Sequence, residues 1–250
     1  MATFPPHSNH LIGKALHDYQ MLVDGDRVMV AVSGGIDSLV LCHTLAHWRR
    51  KAPIHYELLA VHLDMGFGSD EAERVTAQLK ASDLPFLVER TTFGQEALKA
   101  EDGRSGCYHC ARQRRNRLFA LAREHQCRKL AFGHHQEDLI ETFFLNLLYG
   151  GNLSTMVPRQ ELFGGDLTLV RPLAYLAKNQ VRELGELFGI TPVGNPCPLA
   201  ADSKREAIRR LLDALYAENP RFRGNIFAAL GHVRTDYLLK PLADRDADRP

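Results

Sequence analysis

The chain has 250 residues, with 31 lysines and arginines against 30 aspartates and glutamates, a net charge of +1, and 45% hydrophobic content. These values suit one large α/β domain, with or without a helical appendage, and exclude a fibrous or low-complexity protein. No apolar run approaches the roughly 20 residues of a membrane span and Met1 to His10 has no signal-like apolar core, so a cytoplasmic protein with no membrane partner is expected. The balanced charge gives no global pull toward nucleic acid, so RNA binding has to come from local basic patches. Five cysteines make an odd count, and their clustering suits a metal better than a disulfide framework.

From His10 to Val23 the apolar residues Leu11, Ile12, Ala15, Leu16, Tyr19 and Leu22 recur at helical spacing, and Asp24-Gly25-Asp26 ends that helix. The run Val28-Met29-Val30-Ala31-Val32 then reads as a buried strand that breaks at Gly34 and Gly35 and restarts as a helix. The two glycines let the backbone turn and come close to a ligand, and Ser38 reads as the helix cap. The hydroxyls of Ser33 and Ser38 and the free amides of a helix N-terminus converge on an anion, expected to be a phosphate chain, with Asp37 placed to help hold Mg2+. The full string Ser33-Gly34-Gly35-Ile36-Asp37-Ser38 after a hydrophobic strand is more specific than a glycine pair, and it lacks the Gly-Lys-Ser/Thr ending of kinase P-loops.

Leu39 to Trp48 continues that helix, and Tyr56 to Leu63 is a second strand ending at Asp64, a carboxylate that either faces the ligand crevice or caps the strand end. Ser69 to Ala81 reads as a helix and Pro85 to Glu89 as a third strand. Such alternation predicts an α/β fold with a doubly wound parallel sheet and right-handed crossovers. Thr91 to Gly106 is polar and turn-rich, an expected active-site loop. Cys107-Tyr108-His109-Cys110 follows it and leads into a basic helix, Ala111 to about Glu124, with Arg112, Arg114, Arg115 and Arg117. A Cys-x-x-Cys pair in a cytosolic chain fits half a zinc site, a redox dithiol or two ligands of an iron–sulfur cluster, and the pair does not decide among them.

Lys129 to Phe132 is a fourth strand with Gly133-His134-His135-Gln136-Glu137-Asp138 at its C-terminal end, where His135, Glu137 and Asp138 suit metal binding or acid–base work. A helix from Leu139 to Tyr149 breaks at Gly150-Gly151, Thr168 to Val170 is a short strand, and Ala177 to Phe188 is a helix. Cys197 stands between Pro196 and Pro198 in a stiff loop. Helices follow at Ser203 to Tyr216, carrying Lys204, Arg205, Arg209 and Arg210, and at Phe222 to Tyr237. The expected division is an N-terminal helix (1–26), an α/β unit with the phosphate-binding loop and the Cys-x-x-Cys insertion (27–190), a C-terminal helical segment (191–242) and a disordered tail (243–250). Cys42 and Cys127 fall in or beside helices as small buried hydrophobes.

The Ser-Gly-Gly-x-Asp-Ser string resembles the PP-loop of the ATP pyrophosphatase superfamily. With the Cys-x-x-Cys, the 133–138 string, Glu141 to Gly151, Arg171-Pro172-Leu173-Ala174-Tyr175 and the later Pro-Cys, the chain is similar from Leu11 to Leu238 to the TtcA/TtuA group of tRNA-thiolating enzymes, and most to its TtcA branch. The resemblance implies a Rossmann-like (HUP) fold and an ATP site at Ser33, Gly34, Gly35, Asp37, Ser38, Asp64, Gly133 and His135. It implies a [4Fe-4S] cluster on Cys107, Cys110 and Cys197, one iron being left open for hydrosulfide, and catalytic roles for Cys107, Cys110, Arg114 and Asp138. The implied reaction adenylates C2 of a pyrimidine, cytidine 32 of the tRNA anticodon loop, and replaces its oxygen with sulfur from a cysteine desulfurase or hydrosulfide. A homodimer is compatible with the group.

The chain departs from that pattern at three places: the usual PP-loop lysine is Ile36, the usual late Cys-x-x-Cys keeps its first cysteine in Cys197-Pro198-Leu199-Ala200, and the usual aspartate is Glu137. A cluster-free PP-loop ligase of lysidine-synthetase or amidotransferase type, a structural zinc site, and a non-catalytic ATP-binding iron–sulfur sensor are the alternatives.

Overall fold

The phosphate-loop strand forms β1 (Asp26–Val32), next to the reversal in strand order of a six-stranded sheet. The computed structural model describes residues 4–68, 70–99, 106–194, 197 and 204–239, with the Cys107 side chain outside the description. Val28, Met29 and Val30 are wholly buried, the continuous apolar pattern of a strand covered on both faces. The other strands are β2 (Tyr56–Asp64), β3 (Phe86–Arg90), β4 (Lys129–Ala131), β5 (Arg159–Leu162) and β6 (Leu167–Val170), in the order β3-β2-β1-β4-β6-β5. All neighbouring pairs are parallel except β5 with β6, which is antiparallel. Strand order reverses between β1 and β4, and ligands of doubly wound sheets bind outside the carboxyl ends at such a switch point. Both the 33–38 loop and the 133–138 string leave the sheet there.

The helices are α1 (Pro6–Asp18), α2 (Ile36–Arg49), α3 (Glu71–Ala81), α4 (Phe93–Leu98), α5 (Gly106–Glu124), α6 (Gln136–Gly150), α7 (Lys178–Leu187), α8 (Lys204–Glu218) and α9 (Arg221–Leu230). Several differ from the sequence expectation for local reasons. Helix α1 starts at Pro6, whose missing N–H costs nothing in a first turn, and it ends before Gln20, which has φ +46. Helix α2 begins at Ile36 with Gly35 as cap, so Ser38 lies inside its first turn and is not the cap. Polar spacing hid α4 within the expected 91–106 loop, and it hid β5, whose sequence Arg-Gln-Glu-Leu has three exposed residues of four. The Arg159–Glu161 ion pair (2.7 Å) on β5 charges an edge strand against further pairing. The expected helix to Tyr237 ends at Leu230, with Gly231 as its cap and a short 3-10 turn over Thr235–Tyr237. The expected disordered tail and the Asn195-Pro196 and Pro198 to Ser203 segments lie outside the described residues.

One core joins α1, α2, α3 and α7 to the sheet through residues such as Ile12, Leu41, Val75 and Leu184. A second, on Met29, Val61 and Leu130, takes Leu118, Leu121 and Ala122 of α5. In a third, Ile140 of α6 meets Ile208 and Leu212 of α8. Cys42 and Cys127 are buried, and burial pushes the Cys42 thiol up to about 12, so both act as small hydrophobes.

Among the described residues no helix is long and apolar enough to cross a membrane.

Candidate active site

The turn from β1 into α2 is held by its two serines. Ser38 Oγ donates to the Gly35 carbonyl (2.9 Å) and accepts the Ser33 N–H (3.1 Å), while the two hydroxyl oxygens lie 3.2 Å apart. Gly34 sits at φ +84, and a Cβ there would meet Val75 Cγ2 at 2.8 Å, so glycine is needed both for the turn and for the close packing. The loop is further tied to the 191–194 segment, because the Val193 N–H donates to the Gly34 carbonyl (2.9 Å). Gly133, at the end of β4, has a different reason to be glycine: a Cβ would lie 2.6 Å from the Asp37 carbonyl oxygen. Its bareness lets the first turn of α2 rest on the carboxyl end of β4.

That contact brings Asp37 to the first turn of α6. His135 is 3% exposed; its Nδ1 lies 3.1 Å from Glu137 Oε2, and its Nε2 lies 3.5 Å from Asp138 Oδ2 and 3.9 Å from Asp37 Oδ1. Burial works against a charged imidazole, but the Glu137 hydrogen bond and the charges of Asp138 and Asp37 outweigh it and raise His135 above its ordinary value. Burial pushes the Asp37 carboxyl above the usual carboxylate range, with His135, Lys178 and Arg182 pulling the other way and Asp138 adding to the rise. Asp37 Oδ1 is fully buried and has no hydrogen-bond partner among the described residues. A buried carboxylate oxygen without a donor, beside a second carboxylate and a phosphate-shaped loop, fits a Mg2+ ligand. For Glu137 burial raises the carboxyl, yet the hydrogen bonds from His135 and from the Lys178 N–H (2.9 Å) bring it below its ordinary value.

Asp138 is fixed from two sides: its Oδ2 accepts the His135 N–H (3.0 Å), and its Oδ1 lies 3.7 Å from Arg205 Nη1. Arg205 comes from α8, which the sequence did not connect to this site. Arg205 also approaches Glu141 (3.4 Å), Arg209 donates to Glu141 Oε1 (2.8 Å), and Arg223 of α9 donates to Glu137 Oε1 (3.1 Å). Three carboxylates on the first turns of α6 thus hold three arginines of the C-terminal helices. The visible hint was the i, i+4 spacing of Arg205 and Arg209, which places them on one helix face but names no partner.

His134 faces Arg171, which is 5% exposed, donates Nε–H to His134 Nδ1 (3.2 Å), and donates Nη1–H to the Val157 carbonyl. Burial lowers the His134 imidazole to about 4 and the Arg171 guanidinium to about 10. A histidine held neutral in the fold and free to protonate when unfolded weakens the fold as pH falls, because the unfolded chain takes the proton first. The cost is absent above the ordinary histidine value, grows from there down to about 4, and is then constant. Since part of His134 still meets solvent, the expected loss is roughly 2 kcal/mol rather than the full shift. Urea unfolding from pH 7 to pH 4 should show that extra loss in the wild type relative to His134→Asn; superimposable pH profiles would mean that His134 is charged in the fold.

Ser33, Gly34, Gly35, Asp37, Ser38, Gly133, His135 and Asp138 therefore share one place, the switch point between β1 and β4. Asp64 stands at the same edge, two residues beyond the His62 that pairs with Val32, and its Oδ1 accepts the Gly66 N–H (2.8 Å), a strand-end cap. The Cys-x-x-Cys lies within the first turns of α5 and not before that helix as expected, so Cys107 and Cys110 are i, i+3 neighbours. A crossover helix runs back along the sheet, which sets its N-terminus at the carboxyl edge. Cys110 is half-buried against the second core, and Cys197 is half-buried too. Among the described residues no group of three His, Cys, Asp or Glu side chains is placed to hold a metal ion, the Cys107 side chain lying outside that set. Arg114 is exposed on α5, with no hydrogen bond or ion pair to the Asp37–Asp138 cluster among the described residues.

A doubly wound sheet with a serine-lined Gly-Gly turn at its switch point defines a nucleotide-binding protein of PP-loop type. The PP-loop domain model matches residues 7–215. Over 92% of the chain and 90% of the relative, the sequence is 39% identical to the tRNA-cytidine(32) 2-sulfurtransferase of Syntrophotalea carbinolica. The enzymes of the same name from Anaeromyxobacter dehalogenans and Geobacter metallireducens are 38% and 36% identical, over 94% and 95% of the chain and 81% and 92% of the relatives. The chain belongs to the PP-loop family and, within it, to the family of these tRNA-cytidine(32) 2-sulfurtransferases. In fold it is similar to the U34-tRNA thiolase NcsA from Methanococcus maripaludis, solved with its [4Fe-4S] cluster: TM-score 0.75, 20% identity, 93% of this chain and 79% of that one.

Proposed function

We propose that this chain is an ATP-dependent tRNA thiolase that exchanges the C2 oxygen of cytidine 32 in the anticodon loop for sulfur. The observation that carries the reading is identity of 36–39% to relatives of that name across more than nine-tenths of the chain. In the reading, ATP lays its phosphates against the amides of residues 34–38 and the hydroxyls of Ser33 and Ser38, at the positive end of α2. Mg2+ fits beside Asp37, whose buried Oδ1 lacks a donor, and when bound it neutralises phosphate charge. The C2 oxygen of the base attacks the α-phosphorus, the bond to the β-phosphate breaks, and pyrophosphate leaves. A carbon–sulfur bond then forms at C2 and the carbon–oxygen bond breaks, AMP departing with the original oxygen.

Asp138, oriented by the His135 amide and Arg205, faces the reacting groups, while Arg114 takes developing phosphate charge through its fork. A [4Fe-4S] cluster held by Cys107, Cys110 and Cys197 would supply an iron without a protein thiolate as the place from which sulfur is given. The donor set fits in kind, three cysteines and no fourth beside them, Cys42 and Cys127 being sealed in the apolar cores. Exposed Arg112 and Arg115 on α5 offer phosphate contacts to the tRNA backbone. A loop base reaches such a site at least unstacking cost. A cysteine desulfurase or free hydrosulfide provides the sulfur, and the cytoplasm is the compartment.

The test is an anaerobic assay of the purified chain with ATP, sulfide and a tRNA bearing cytidine 32, read by mass spectrometry of digested nucleosides and by AMP release. Equimolar 2-thiocytidine and AMP are expected. Pyrophosphate release without thiolation would replace this reading by a PP-loop ligase with another nucleophile.

A further inference from the structure

Ile36, in the 33–38 loop, is partly buried and packs against α7. A Cβ on Gly185 would lie 2.6 Å from Ile36 Cδ1 and 2.9 Å from its Cγ1, so the glycine is what lets α7 lie on the first turn of α2. Lys178 and Arg182 precede Gly185 by seven and three residues, which puts all three on one face of α7. The first turn of that helix is also pinned to the site, because the Lys178 N–H donates to Glu137 Oε2 (2.9 Å). Asp37 in turn registers the positive charge of both Lys178 and Arg182.

The other cations nearby are already engaged. Arg205 and Arg209 are held by Glu141, Arg223 by Glu137, and Arg171 by His134 and the Val157 carbonyl. Among the described residues neither the Lys178 nor the Arg182 side chain is committed to an ion pair; Lys178 is half-buried and Arg182 exposed. A triphosphate entering beside Asp37, which no arginine or lysine pairs among the described residues, needs positive charge beyond what backbone amides supply. We propose that Lys178 and Arg182 bind the β- and γ-phosphates of ATP at the 33–38 loop, supplying from α7 the positive charge that the loop's own side chains lack. The same two groups stabilise pyrophosphate as it leaves the α-phosphorus. This inference rests on the ATP-binding reading of the loop.

The experiment is calorimetric titration of the full chain with Mg–ATP, pyrophosphate and AMP, for the wild type, Lys178→Ala, Arg182→Ala and Arg182→Glu, with urea midpoints confirming that each variant folds. Loss of one charged contact should weaken ATP and pyrophosphate about tenfold in each alanine variant and more in Arg182→Glu, with AMP within about twofold of the wild type. Unchanged ATP and pyrophosphate affinities, or an equal loss for AMP, would overturn the inference and leave the ATP reading standing. A wild type that binds no ATP would overturn that reading and the inference with it.

Discussion

Serine at Cys107, Cys110 or Cys197 should each abolish tRNA thiolation and lower iron and acid-labile sulfide from about four of each per chain, while leaving ATP affinity as in the wild type. Serine keeps the size of cysteine but offers iron an alcohol in place of a thiolate, so the change removes a ligand with little packing cost. Cys107 and Cys110 occupy neighbouring positions on one face of α5 at the carboxyl edge of the sheet. Cys197 is drawn toward the same edge by the chain itself. Val193 is hydrogen-bonded to Gly34 (2.9 Å), and four residues of extended chain reach at most ~14 Å, so Cys197 stays in the neighbourhood of the phosphate loop. Cys42→Ser and Cys127→Ser are the controls. Their thiols are buried among apolar residues, so iron content should not move even if stability falls. Zinc in place of iron, or full iron and activity in Cys197→Ser, would sink the three-cysteine assignment and make any metal there structural.

How far the sequence could be read depended on the range of the interaction involved. The strand–loop–helix around Gly34 was legible because a β-branched run, a glycine pair and two serines act within eleven residues, and the fold places that string at the β1–β4 switch point. Within that stretch the reading of Ser38 as a cap failed, since Gly35 takes the cap and the Ser38 hydroxyl turns back to the Gly35 carbonyl. The glycine at 133 was legible as a site residue, but its structural reason was not. It makes room for the Asp37 carbonyl, 96 positions earlier, and no local pattern announces such a contact. Strand β5 escaped because an edge strand with three exposed residues has no apolar alternation to detect. Arg205 and Arg209 of α8 were visible as charge, Arg223 of α9 was not singled out, and all three came to the site only through carboxylates 60 to 90 positions away.

Glu141→Ala should lower the unfolding free energy by about 2 kcal/mol and loosen α8 and α9 before the sheet. Glu141 is 4% exposed, and its carboxylate holds Arg209 at 2.8 Å and Arg205 at 3.4 Å. Removing one partner of a buried ion pair costs about 3–5 kcal/mol when the stranded charges stay dry. Here the two arginine side chains are 35% and 39% exposed, so water recovers part of that cost, which is why the expected value is the smaller one. What then holds α8 and α9 to α6 is the third apolar core, where Phe144, Leu145, Leu215 and Phe227 pack around Ile140, Ile208 and Leu212, with only the Arg205–Asp138 and Arg223–Glu137 pairs left beside it among the described residues. Hydrogen exchange in residues 204–230 should therefore accelerate while β1, β2 and β4 keep their protection. Activity should fall further than stability if Asp138 serves the reaction as proposed, because Arg205 also lies 3.7 Å from it and a helix that opens takes this guanidinium away from the Asp138 carboxylate. Glu141→Gln separates the two effects. It keeps an acceptor for Arg209 but not the charge, so it should retain more of the protection than of the activity, whereas equal losses in both would mean that Glu141 serves packing and has no part in aligning the site.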